Sequence, residues 1–467
     1  MWAGPQSQGG DDLDLATEFF TRKRPDRASR RHVGEELRKH IPLESLAEVP
    51  HEDERKDALS VLRAQEDVRA VDLIPLRYER MSTNPFAYLR GAAAVMASDL
   101  SLRPHSGIEV QLCGDAHLEN FGMFASQERR LVFDLNDFDE TNPGPFEWDV
   151  KRLAASFVLA ARNNGFSAAE QKLIAQVSAE SYREWIADLS TQSTLEVWYS
   201  QVDVEWMLTL LHSHELKKAI KKASEKARGK NSDSALTKLT EVVNGERRFR
   251  SDPPLLVPVP DEEEDEVTRN LAPVFVEYIR TLAPAQAALL ARYSFSHIAF
   301  KVVGVGSVGT RAYVLLLESG NGDPLILQAK QANPSVLEEY VGESGYANHG
   351  QRVVAGTRMM QATGDPFLGW CHGGDAVPYD FYFRQLWDMK GSIDTAKLGV
   401  EGLTAYARVC GAVLARAHAR AGDAALISGY LGTTDAFDVA ISDYAMKYAD
   451  ITEKDHAQMT AWMAGAK

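Results

Sequence analysis

Small and apolar residues recur at three- and four-residue spacing over residues 85–100 (PFAYLRGAAAVMASDL), the pattern of a helix with a buried inner face. The same period predicts amphipathic helices over 149–161 and 168–189, and an exposed basic helix over 215–230. This texture stops at residues 251–266 (SDPPLLVPVPDEEEDE), where proline and then dense acid read as a surface linker and a subdomain boundary. From about Ser296 the pattern changes to short β-rich runs, HIAFKVVGV, RAYVLLLES, PLILQAKQA and DFYFRQLWD, parted by glycine-rich turns. An antiparallel sheet is expected there. Helix returns over residues 404–421, while residues 11–72 are highly charged and read as an exposed helical arm.

Composition narrows the class. A chain of 467 residues, 45% apolar and 25% charged, can bury two or three packed units. The formal net charge of −15 repels phosphate backbones and anionic surfaces, so neither nucleic acid nor membrane is expected as a partner, and a small molecule is. Three widely spaced cysteines, Cys113, Cys371 and Cys410, suit neither a disulfide framework nor a zinc site. With no basic-then-apolar leader and no run of about 18 apolar residues, the expected compartment is the cytoplasm.

The densest chemistry lies in QLCGDAHLENF, residues 111–121, followed after a turn by LVFDLNDFDE, residues 131–140. Phosphoryl transfer needs a carboxylate beside the acceptor hydroxyl and oxygen ligands that hold Mg²⁺ against the phosphates. Asp115 and Asn120 stand 120 − 115 = 5 apart, the spacing of a kinase catalytic base and its metal-binding asparagine. Asp137 is the second expected metal ligand, with Asp134 and Asp139 competing on the same stretch. The plainer reading of these carboxylates is turns, caps or a Ca²⁺ loop.

GVGSVG contributes Gly304, Gly306, Ser307 and Gly309, a pattern that also occurs in dinucleotide sites. Those sites need a helix directly after the glycines; here a strand follows, then a turn, then a strand carrying Lys330. That order is the kinase nucleotide lid, with Lys330 gripping phosphates and the strand at 381–386, including Gln385, leading into a hinge. Taken alone, Lys330 reads as a solvated strand-end lysine. Glu338, Glu339 and Glu343 are candidates for its ionic partner, and His418, which ends an apolar helix, reads as a capping or core residue.

Gly114, Asp115, His117 and Asn120 resemble the G-D-x-H-x-x-N loop of aminoglycoside and choline phosphotransferases, members of the protein-kinase-like superfamily. The resemblance implies that Asp115 is the catalytic base, that His117 supports the loop through backbone hydrogen bonds, and that Asn120 and Asp137 bind Mg²⁺ beside ATP. Cys113 departs from it, standing where those enzymes usually carry histidine. Gly144, Pro145 and Asp149 follow Asp137 in the order the resemblance implies, with 149 − 137 = 12. From about residue 78 to 448 the chain is identified as a member of a bacterial family catalogued as an uncharacterised conserved domain, number twenty-two fifty-two. It carries RGAAAVMASDL, CGDAHLENFG, GVGSVGTRAYVLLL, RQLWDMKGS and LARAHARAGD.

The expected fold is therefore α+β, a two-lobed protein-kinase-like architecture with extra helices. Because the lid follows the catalytic loop in the chain, the fold is expected to be circularly permuted. Its parts would be an arm at 1–84, a catalytic loop and helical lobe at 85–295, a β-rich nucleotide lobe at 296–390, and a helical segment at 391–467 that completes the first lobe. The expected activity is ATP- and Mg²⁺-dependent phosphotransfer to a hydroxyl; AMP transfer and a nucleotide-binding pseudokinase are the alternatives. Geometrically, the Lys330 amine should lie within about 10 Å of the Asp137 carboxylate.

Overall fold

The computed structural model describes residues 20–229, 232–302, 308–374, 377–386 and 388–465. It is mixed α+β, 55% helix and 16% strand. The elements that frame the cleft are helices α1 (Pro85–Gly91), α2 (Ala93–Ser101), α3 (Glu147–Asn163), α4 (Ala168–Leu189), α5 (Glu264–Arg280), α6 (His349–Met360) and α7 (Val400–Ala421). Strands β1 (Phe121–Ala125) and β2 (Leu131–Leu135) form one hairpin. Strands β3 (Leu256–Pro258), β4 (Tyr293–Lys301), β5 (Ala312–Ser319), β6 (Pro324–Ala332), β7 (Gly369–His372) and β8 (Asp380–Gln385) make an antiparallel sheet of order β7-β8-β6-β5-β4-β3.

The largest apolar core draws on both ends of the chain. Phe146, Phe157 and Tyr182 from α3, its lead-in and α4 pack with Tyr406, Val413 and Leu414 of α7, all fully buried. Period-3.6 patterning on α3, α4 and α7 thus buries faces that meet one another. The six-stranded sheet has its own core on each face. Tyr278 of α5 stacks on Phe383 of β8 on one side, and Val314, Leu316 and Ile326 meet Leu239 and Phe249 on the other.

Three expectations are corrected. The stretch 85–100 is two helices, because Ala92 leaves helical geometry (φ −115°, ψ 36°). Gly91 there lies against Met81, whose sulfur would stand 2.5 Å from any added Cβ. The acidic linker is partly structured: residues 256–258 add strand β3 to the sheet, and α5 begins at Glu264. Glu262 and Glu263 then stand at the positive end of the helix dipole, where acidic charge is favoured. Finally, the arm is not merely exposed. A helix at Arg27–His40 seats against Ala424–Leu431, where Gly34 and Gly429 let the two backbones approach, and Leu43 and Leu46 are buried in the main core.

Candidate active site

Residues 113–120 form an irregular loop whose backbone is pinned from two helices. The Asp149 carboxylate, at the start of α3, accepts from Cys113 N (2.7 Å) and Gly114 N (3.0 Å). His418 of α7 holds the same carboxylate through Nε2 (3.1 Å) and meets the Tyr182 hydroxyl through Nδ1 (2.8 Å). His418 is thus a core residue with a task, holding the acceptor that shapes the loop. Gly114 has φ +83°, and an added Cβ would collide with the Glu140 carbonyl oxygen, so the position requires glycine.

Asp115 stands at the tip of this loop with Oδ1 held by Arg152 Nε (2.6 Å), and Arg152 is itself buried and tied to the Leu89 carbonyl (2.8 Å). His117 is 8% exposed; its Nε2 is 3.8 Å from Asp115 Oδ2, and Nδ1 has no hydrogen-bond partner among the described residues. Burial pushes its pKa down to about 4, with Arg90 and Arg152 adding to the effect against the pull of Asp115. The ring is therefore neutral at physiological pH.

Asn120 departs from the open metal ligand expected of it. Its Nδ2 donates to the carbonyls of Asp115 (3.0 Å) and Asp137 (2.8 Å), while Oδ1 accepts from Asp137 N (2.7 Å). A buried amide must satisfy both ends, and here it does so by clamping the 115 loop to the 137 turn. Of the three competing aspartates, Asp134 is taken out of the cleft by a buried pair with Arg416 (2.5 Å). Asp137 and Asp139 remain beside the cleft.

Lys330, on β6 and 1% exposed, reaches these two across 193 residues of chain: Nζ is 3.5 Å from Asp137 Oδ2 and in direct contact with Asp139 Oδ2. Asp139 also accepts from the Tyr382 hydroxyl (2.8 Å). The lysine's partner is thus a carboxylate from the 137–139 turn and not one of the three glutamates; Glu338 lies by Arg352 (3.6 Å) and Glu339 binds Lys56 (2.6 Å). Burial alone would raise the Asp137 pKa, but Lys330, Arg384 and Lys390 outweigh it and hold that carboxyl well below the usual range. Burial and the neighbouring Asp137 charge drive Asp139 upward. Lys330 stays firmly charged, the two aspartates outweighing its desolvation.

These groups line one cleft of about 530 Å³. Gln385 lines it too, its backbone N–H bound to the Asp365 carboxylate. Gly309 sits at the end of the glycine-rich turn with φ +93°; Gly304, Gly306 and Ser307 lie outside the described residues. Among the described residues no group of three or more His, Cys, Asp or Glu side chains is arranged to hold a metal ion. Mg²⁺ commonly takes only one or two protein carboxylates, completing its shell with water and phosphate oxygens. Asp137 fits that use, because its Oδ1 is buried without a hydrogen-bond partner among the described residues.

Sequence reasoning gave no role to six cations that reach this cleft or its loop: Arg69, Arg90, Arg152, Lys301, Arg384 and Lys390. Arg384 had a signal, since β8 alternation puts it on the face of Tyr382. Arg152 had one as well, as a charge inside the apolar stripe of α3.

The chain is thus of α+β class with these groups lining one cleft, and its family follows from comparison. The chain belongs to the family described as an uncharacterised protein conserved in bacteria (DUF2252), which matches residues 69–461. No curated protein and no solved structure matches it.

Proposed function

We propose that the chain is an ATP- and Mg²⁺-dependent phosphotransferase that phosphorylates a hydroxyl of a small molecule on a circularly permuted, two-lobed kinase-like fold. One observation carries the reading. Asp115, Asp137 and Lys330 come from segments far apart in sequence yet line a single cleft, with the Lys330 amine 3.5 Å from Asp137. A base, a metal-binding carboxylate and a phosphate-gripping lysine are the parts phosphoryl transfer requires.

The acceptor oxygen attacks the γ-phosphorus, the bond from that phosphorus to the β,γ-bridging oxygen breaks, and ADP leaves. The acceptor proton passes to Asp115. Arg152 already holds Oδ1, which fixes the carboxylate's orientation and leaves Oδ2 to receive it. Bound Mg²⁺ would neutralise the phosphate charge, with Asp137 as its protein ligand. Asn120 acts by holding the Asp115 and Asp137 backbones at a constant separation. The neutral ring of His117 gives the acceptor a hydrogen-bonding neighbour that carries no charge.

Permutation is supported by the way α7 completes the loop's support. His418, near the C-terminal end of α7, braces Asp149, which holds Cys113 and Gly114. In an unpermuted kinase-like chain the corresponding helix would run directly into that loop.

The test is Mg²⁺-dependent ATP turnover by the purified protein with a panel of hydroxylated and aminated small molecules, products read by mass. Gain of phosphate supports the proposal, gain of adenylate moves the reading to AMP transfer, and tight ATP binding without turnover moves it to a pseudokinase.

A further inference from the structure

Helix α6 is docked on the sheet at its N-terminal end and on the 137–141 turn further along. The Asp380 carboxylate of β8 accepts from Asn348 Nδ2 (2.9 Å) and from the otherwise orphaned His349 N–H (2.7 Å). Gly350 then passes so close to β8 that an added Cβ would collide with the Phe381 carbonyl oxygen. Because β8 pairs with β6 in the register Tyr382 opposite Lys330, α6 and Lys330 are carried by one sheet. From α6 the fully buried Arg352 reaches the turn. Its Nη1 donates to the Thr141 carbonyl (2.5 Å), and its Nη2 to the carbonyls of Asp139 (2.8 Å) and Asn333 (2.7 Å). One turn on, Gly356 lets the helix lie directly over Thr141, whose Oγ1 an added Cβ would strike.

Burying a guanidinium is expensive, and neutral groups can tie two segments together at lower cost. What the guanidinium adds is geometry: its donors lie in one plane at set angles and hold several oxygens at fixed mutual distances, which a single ammonium does not. The oxygens gripped here belong to the two segments that meet in the cleft. Asn333 directly continues the strand of Lys330, and Asp139 continues the turn of Asp137. Asn120 grips Asp137 from the side of the 113–120 loop, through both its N–H and its carbonyl. Arg352 grips the same turn two and four residues later, from the side of the sheet.

We infer that Arg352 is a positioning residue of the nucleotide site: it fixes the 137–141 turn to the sheet and so sets the separation at which Asp137 and Lys330 meet Mg²⁺ and the phosphates. The inference rests on the nucleotide reading above. Helix α6 then acts on the partners of the lysine and not on the lysine itself.

Two readouts on the full chain test it. The first needs no ligand: hydrogen exchange of the Asp137 and Thr141 amides, which are bonded to Asn120 Oδ1 (2.7 Å) and the Phe138 carbonyl (3.0 Å). Arg352→Lys keeps the charge and loses the fork. It should speed that exchange at least about fivefold, the scale of one lost hydrogen bond, and leave peptides of α4 within about twofold. The second is the gain in ATP affinity that Mg²⁺ brings, taken by calorimetry with Mg²⁺ and with EDTA; it should fall by about fivefold or more in the same variant. Gly356→Ala leaves the guanidinium in place and presses a methyl group on Thr141, so it should shift both readouts in the same direction, and it carries the test if Arg352→Lys does not fold. Ile174→Ala, a fully buried position on α4 away from the cleft, should lower the unfolding midpoint and leave the Mg²⁺ gain unchanged. Faster exchange with an unchanged Mg²⁺ gain would make Arg352 a structural tie only, and exchange within about twofold of wild type would deny it even that; either result overturns the inference and leaves the nucleotide reading intact. Wild-type protein that binds no ATP, or binds it no better with Mg²⁺, overturns that reading and the inference together.

Discussion

Replacing Lys330 by methionine keeps most of the side chain's volume on β6 and deletes a charge that touches both Asp137 and Asp139. Two unit charges 3.5 Å apart, the Lys330–Asp137 separation, interact by about 5 kcal/mol at an effective dielectric near 20. Solvent reaches the Asp137 side chain, 42% exposed, and discounts that figure, whereas Asp139 is better shielded. Removing one member of a buried ion pair costs about 3–5 kcal/mol, and we expect about 3 kcal/mol for Lys330→Met at pH 7. The deficit should shrink on acidification. Asp139 already has a raised pKa, and losing the lysine raises it further. A carboxyl whose folded pKa exceeds its unfolded value binds its proton more tightly when folded, so stability is gained as pH falls toward the ordinary carboxylate range near 4. Asp139→Asn keeps an acceptor for the Tyr382 hydroxyl and leaves Lys330 with Asp137, so it should cost only about 1 kcal/mol. In the double variant the two costs should fall short of their sum by about 1.5 kcal/mol or more. Urea denaturation of the four proteins between pH 4.5 and 7.5 measures all of this. A Lys330→Met cost under about 1 kcal/mol, or costs that simply add, would refute the view that this triad is one electrostatic unit.

Asp115→Asn should retain Mg–ATP binding and lose turnover by about a hundredfold or more, while Asp137→Asn should lose binding as well; calorimetry beside a turnover assay separates them, and parallel losses in Asp115→Asn would count against its role as base. His117 is neutral in the folded protein down to about pH 4, but protonates near pH 6.5 when unfolded. Below pH 6.5 the unfolded chain therefore binds the extra proton, and folding stability should fall by up to about 3 kcal/mol between pH 6.5 and 4, a slope that His117→Gln should flatten in denaturation midpoints. Gly114→Ala places a Cβ against the Glu140 carbonyl at φ +83° and should cost about 2 kcal/mol or more by thermal unfolding; a loss under about 0.5 kcal/mol would contradict this loop geometry.

Periodicity located α3, α4 and α7 because each buries one continuous stripe against the others, and a buried stripe is written directly into the order of residues. It failed at Ala92, where the backbone leaves helical geometry beside a glycine packed on Met81, a contact that no local pattern encodes. Short-range spacing pointed to Asp115, Asn120 and Asp137, since five- and seventeen-residue separations span one loop and one hairpin. The same spacing could not say what the Asn120 amide does. Its clamping role depends on the 137 turn folding back over the loop, which leaves both ends of the amide bonded to backbone. Lys330 is legible as a strand lysine behind a glycine turn, but the kinase-lid pattern puts its partner on the helix that follows. The nearest stretch in space is the 137–139 turn, and distance along the chain carries no record of that. Arg69 was invisible for the same reason.

The support of the 113–120 loop also bears on the permutation we propose. A loop that must present Asp115 in a constant orientation needs its own backbone donors satisfied by groups that do not move. Here Asp149 supplies two acceptors from the rigid first turn of α3, Ser156 two turns later takes the Leu118 N–H (3.0 Å), and Tyr406 of α7 donates to the Leu118 carbonyl (3.1 Å). None of these bonds requires the loop to be covalently continuous with α7. The packing of α7 against α4 and the His418–Asp149 contact hold the two helices together, so a chain that enters the loop from α2 and β-strand 109–112 meets the same set of partners. Geometry at Asp115 is therefore set by what surrounds the loop, and the order in which the chain visits those surroundings is free to change.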